Sequence, residues 1–132
     1  MHIIESIDRD ALAHKWSFPK KFQALADAGV ESYSVRFIDE FDRVYRGNFG
    51  VWHEPVPIGY APCVLSDEFS TDGIKAAIMR SMRGQIDYIQ FLVEIAAAGV
   101  SHYKVDMNKR TVTYFNEDET CFHEEKVPVW KE

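Results

Sequence analysis

The sequence predicts an α+β fold: a mainly antiparallel sheet of four to six strands with helices packed on one face. Three observations lead there. A helix-period apolar stripe ends twice at a glycine followed by valine, at Gly29-Val30 and at Gly99-Val100. After each stop the period shortens to two, and each strand then runs into a polar turn that opens a hairpin.

The two stretches align with each other. Residues 22–35 laid over residues 92–105 pair Ala26 with Ala96, Ala28 with Ala98, Gly29 with Gly99, Val30 with Val100, Tyr33 with Tyr103 and Val35 with Val105. Leu25/Ile95 and Phe22/Leu92 keep apolar character. Two copies predict an internal pseudo-twofold repeat of a helix-hairpin unit, about residues 17–50 and about residues 86–127, inside a single domain of residues 1–132. A solenoid needs a longer array.

The elements follow in order. Residues 6–16 read as a short amphipathic helix. Ser17 caps the next, Pro19 fits its first turn, and Phe22, Leu25, Ala26 and Ala28 form its stripe up to Gly29. Tyr33, Val35 and Phe37 then share one strand face, with Ser34 and Arg36 opposite. A turn at residues 39–42 leads to a return strand with Val44 and Tyr45. Residues 51–69 hold Pro55, Pro57, Gly59 and Pro62 and read as a loop with short extended pieces. Ser70 or Thr71 caps a helix to about Arg83, with Ile74, Ala77, Ile78 and Met82 inside and Lys75, Arg80 and Arg83 outside. The second unit repeats the pattern through Ile89, Leu92, Val93, Ile95 and Ala96, then Tyr103, Val105 and Met107, then Val112, Tyr114 and Phe115. A last strand spans residues 120–127.

Composition narrows the function classes. A net charge of -6 and a pI near 5.3 repel phosphate backbones and anionic lipid, so neither nucleic acid nor a membrane is expected as a partner. No apolar run reaches bilayer length and the first ten residues lack a signal-peptide pattern, so the expected location is cytoplasmic. Cys63 and Cys121 read as free thiols. There is no P-loop, dinucleotide glycine pattern or nucleophile elbow, and no cofactor is expected. Aromatic residues reach 14%, which predicts an aromatic-rich core or binding surface.

Several motifs together resemble a known family. They are Phe18-Pro19, Gly29-Val30 with Tyr33, Tyr45-Arg46-Gly47, Gly84-Gln85-Ile86-Asp87-Tyr88, Ala98-Gly99-Val100, Val105-Asp106-Met107, Thr113-Tyr114-Phe115 and Val127-Pro128. Nearly the whole chain resembles the YbcV-like bacterial and phage family, a domain of unknown function sometimes labelled phage envelope protein. The resemblance implies no activity for any named residue. The chain departs from the family at Asp39-Glu40-Phe41-Asp42, where members have a tight Asp-Gly turn, and over residues 52–63.

Four sets of residues are candidates for chemistry. Tyr33 and Tyr103 occupy the same place in each unit and would line a ligand groove, or pack their rings and leave their hydroxyls wet. Trp52, His53 and Glu54 stand at the mouth of the proline-rich segment, where an imidazole beside a carboxylate suits a general base, although neighbours on an extended chain face opposite ways. Cys121 and His123 fall on one strand face and are weak metal or nucleophile candidates; the alternative is a buried thiol and an edge histidine. Asp39, Glu40 and Asp42, and Glu117, Asp118 and Glu119, read as solvated turn tips. The preferred function is a non-catalytic module that binds a small molecule or a protein, with a homodimer among the expected assemblies. The alternative is a small enzyme using Cys121, His123, His53 or Glu54.

Overall fold

The computed structural model describes residues 2–129. Helices α1 (Ile3–Ala13) and α2 (Phe18–Asp27) precede strands β1 (Val30–Arg36), β2 (Asp42–Gly47) and β3 (Gly50–Glu54). Helices α3 (Thr71–Met82) and α4 (Tyr88–Ala97) then precede β4 (His102–Asp106), β5 (Thr111–Phe115) and β6 (Phe122–Lys126). The six strands form one antiparallel sheet in the order β3-β2-β1-β4-β5-β6. The fold is α+β, with β1 and β4 at the centre and β3 and β6 as edges.

Local chemistry sets the helix boundaries. Ser17, Ser70 and Asp87 each accept a backbone N–H three residues on, from Lys20, Gly73 and Gln90. α1 begins at Ile3, earlier than the spacing predicts, because the His2 imidazole accepts from the Ile4 N–H and serves as its cap. Gly29 and Gly99 end α2 and α4 with φ near +94° and +93°. At Gly99 the close approach is as decisive as the angle: a Cβ there would lie 2.5 Å from the Glu68 carbonyl oxygen. The proline-rich segment docks at that point, where Ser66 and Ser70 donate to the carbonyls of Ala96 and Ala98 and satisfy the otherwise open end of α4.

Packing corrects some sequence expectations. Met82 is 70% exposed and lies outside the core. Residues 51–54, expected in a loop with short extended pieces, form with Gly50 the edge strand β3. Ile4, Phe22, Leu25, Ile74, Leu92 and Ile95 are fully buried, and each contributes roughly 1.5–3 kcal/mol of hydrophobic burial.

The register aligns two rows of side chains across the helix-covered face. One reads Glu54, Arg43, Val35, Tyr103, Tyr114, His123 and the other Trp52, Tyr45, Tyr33, Val105, Val112, Glu125. Such a face is normally apolar. Here it holds four tyrosines and a buried arginine.

Candidate functional site

Arg43 is the centre of the site. Strand alternation turns its side chain under the helices, where it is 9% exposed, and Nη1 lies 2.6 Å from Oε2 of Glu54, which is 12% exposed on the neighbouring strand. The same nitrogen lies 3.4 Å from the Tyr45 hydroxyl. The guanidinium packs against two rings, 4.9 Å from the centroid of Tyr88 and 5.5 Å from that of Phe41. Its Nε is buried and has no hydrogen-bond partner among the described residues.

Tyrosines surround this charge. The Tyr88 and Tyr103 hydroxyls share a 2.7 Å hydrogen bond, Tyr33 packs on Tyr45 at 4.8 Å, and Tyr103 packs on Tyr114 at 5.6 Å. The hydroxyls of Tyr33 and Tyr114 make no hydrogen bond among the described residues, although the two side chains are only 7% and 6% exposed. Burial pushes the phenols of Tyr33 and Tyr103 well above the ordinary tyrosine range, and Arg43 opposes the shift without cancelling it. Burial likewise raises Tyr45 to about 12 and Tyr114 further. All four stay protonated at neutral pH and can act as donors.

A second ion pair borders the cluster. Lys21 on α2 meets Asp8 on α1 at 2.7 Å, and burial, then the charge of Arg43, holds the Lys21 ammonium below its usual pKa while Asp8 opposes the shift. Tyr60, from the proline-rich segment, packs beside Phe41, which lies against Arg43. Its ring meets Phe41 at 5.5 Å and its hydroxyl donates to the Phe37 carbonyl at 2.6 Å. Open grooves occur elsewhere, one on the outer sheet face beside Ser32, Ser34, Arg46 and Lys104, another beside Pro62, Cys63, Val64 and Val93.

The sequence candidates have different fates. Tyr33 and Tyr103 fall in the cluster with their rings packed, Tyr33 also borders the outer-face groove, and the Tyr103 hydroxyl is bonded rather than wet. Glu54 joins it as the partner of Arg43. His53 points to the opposite face and meets Asp42 at 3.1 Å, so His53 and Glu54 form no dyad. Trp52 is half-buried and stacks on the His2 ring at 4.8 Å. Cys121 is exposed, not buried as the alternative supposed. His123 stacks on Tyr114 and bonds Glu125 at 2.7 Å. Because β3 and β6 are opposite edges, five strand spacings or roughly 24 Å separate His53 and Glu54 from Cys121 and His123. No shared cleft joins the four.

Other polar groupings have structural explanations. Ser101 bonds His102 at 2.6 Å and His102 meets Glu119 at 3.2 Å, but Ser101 is wholly buried and cannot act as a nucleophile. The acidic turn after β5 is tied down rather than free: Glu117 pairs with Arg36, and Glu119 pairs with Lys104 and His102. Arg80, on the outer face of α3, pairs with Glu94. Among the described residues no three His, Cys, Asp or Glu side chains converge to hold a metal, and no helix is long and apolar enough to cross a membrane.

Residues 5–126 match the family described as "Protein of unknown function (DUF1398)". The chain belongs to that family. It is also similar to the uncharacterized proteins Rv2012 of Mycobacterium tuberculosis and Mb2035 of Mycobacterium bovis, 26% identical to each over 132 residues that cover 96% of this chain and 78% of the relative. The family match spans every element that builds the cluster, from Asp8 on α1 to His123 and Glu125 on β6.

Sequence reasoning missed Arg43. A signal was present: in the alternation Arg43, Val44, Tyr45, an inward Tyr45 requires an inward Arg43. Its inward direction was obscured by the general expectation that arginines stay at the surface.

Proposed function

We propose that this protein is a non-catalytic small-molecule binding module whose ligand sits between the helices and the inner sheet face, at Arg43. The observation that carries the reading is the buried Nε of Arg43 without a partner. A buried donor left unpaired costs about 1–3 kcal/mol, a cost that a bound ligand would remove. The unbonded hydroxyl of Tyr33, whose ring packs on the Tyr45 that reaches Arg43, adds a second donor, and Phe41 and Tyr88 add flat apolar walls.

The reading treats residues of about 17–50 and 86–127 as copies of one helix-hairpin unit. Support comes from the two rows: reversed, the second runs Glu125, Val112, Val105, Tyr33, Tyr45, Trp52 against Glu54, Arg43, Val35, Tyr103, Tyr114, His123. Glutamate, valine and both tyrosines coincide. Arginine stands against valine and histidine against tryptophan, so the charged pocket arises where the copies diverge. Kinship with YbcV-like proteins enters the reading as a shared fold only.

Ligand-observed NMR against a pool of small metabolites tests it. Binding is expected in the natural protein and is expected to disappear in the Arg43→Met/Glu54→Leu double variant, which removes both charges together. A pool with no binders, or binders indifferent to the double change, contradicts the reading.

A further inference from the structure

The guanidinium of Arg43 has two usable edges. Nη1 is taken by Glu54 and Tyr45, whereas Nε and Nη2, which lie side by side on the other edge, make no hydrogen bond among the described residues. Two parallel N–H donors at fixed spacing match the two oxygens of a planar anion. An ammonium group would not impose that geometry.

Charge limits the anion. Arg43 and Lys21 are balanced by Glu54 and Asp8, so the Arg43 end of the cluster is neutral. One further negative charge at the free edge lies close to the guanidinium and farther from Glu54, which approaches the opposite nitrogen, so attraction exceeds repulsion. A dianion such as a phosphate monoester doubles the charge to be desolvated without a second free cation in the cluster. The neighbouring Tyr33 is a neutral donor, suited to a lone pair of a carboxylate oxygen. The walls are the ring faces of Phe41 and Tyr88, which suit a small, flat ligand body.

We infer that the ligand of this site is a small planar monocarboxylate, its carboxylate received by the free edge of Arg43 and its body lying against Phe41 and Tyr88. This rests on the binding reading above and adds the chemical class.

The test uses benzoate, phenylacetate and 4-hydroxybenzoate, each beside its neutral amide and beside phenyl phosphate, in thermal-shift and calorimetric titrations of the full chain. At least one carboxylate is expected to bind at least tenfold more tightly than its amide and than phenyl phosphate. Tyr33→Phe, which keeps the ring, is expected to weaken that carboxylate about fivefold, and Arg43→Lys at least tenfold. Should Arg43→Lys fail to fold, Tyr33→Phe carries the comparison alone. Equal binding of an amide and its acid, or tighter binding of phenyl phosphate, overturns the carboxylate class while leaving a binding site at Arg43. Binding that ignores Tyr33→Phe overturns the placement. If no carboxylate binds, the class is refuted; the metabolite pool then separates a wrong class from the absence of a site.

Discussion

Replacing Glu54 by leucine would strand the Arg43 charge under the helices. The pair is short, at 2.6 Å, and its members are only 9% and 12% exposed. Removing one partner of a buried pair costs about 3–5 kcal/mol, because the remaining charge stays desolvated. A chain of 132 residues unfolds with about 2.1 cal/mol/K per residue, so each kcal/mol corresponds to roughly 3–4 °C. Glu54→Leu should therefore lower the melting temperature by about 10–18 °C in circular-dichroism scans. The double variant Arg43→Met/Glu54→Leu should recover to within about 1 kcal/mol of the natural protein or exceed it, since hydrophobic replacement of a buried pair is often neutral or stabilising. The double-mutant cycle isolates the coupling. A loss below about 1 kcal/mol for Glu54→Leu would show a solvated pair and refute the buried-charge reasoning.

Three further outcomes follow from the same packing. Tyr33, Tyr45, Tyr103 and Tyr114 have folded pKa values raised above 10, so their contribution is complete below pH 10 and is lost as pH rises through the folded values. The unfolded chain releases those protons first. Stability should fall by up to about 5 kcal/mol per pH unit above pH 10, and phenolate absorbance should rise together with unfolding. Tyr103→Phe strands the Tyr88 hydroxyl and should cost about 0.5–1.5 kcal/mol in urea titrations, whereas Tyr33→Phe removes an unbonded hydroxyl and should cost nothing or stabilise. Gly99→Ala meets the Glu68 carbonyl as well as an unfavourable angle and should destabilise by more than Gly50→Ala, which has the angle but open space, the latter costing about 1 kcal/mol.

Much of the fold was legible because local chemistry agreed with it. Ser17, Pro19 and Gly29 bracket α2, and Tyr33, Val35 and Phe37 declare the inner face of β1, all without tertiary information. Residues 50–54 were not legible, since Gly50, Trp52 and His53 have no alternation that distinguishes an edge strand from a loop; pairing with β2 decides it. The candidate site was half visible. Tyr33 and Tyr103 lie in its layer, and Glu54 pairs with Arg43. What joins them is the register, which sets Arg43 between Glu54 and Val35, and cross-strand register is not encoded in local spacing. The same limit separates Cys121 and His123 from His53 and Glu54, since β6 lies at the edge opposite β3.

The central claim is that the free edge of Arg43 receives a ligand. NMR of isotope-labelled arginine side chains observes that edge directly, with the Arg43→Met/Glu54→Leu variant assigning the Nε–H resonance. On titration with the tightest-binding carboxylate, the Arg43 Nε–H should move saturably and farther than that of any other arginine. An Arg43 resonance that stays fixed while the carboxylate binds, or moves no more than that of exposed Arg46, would contradict it.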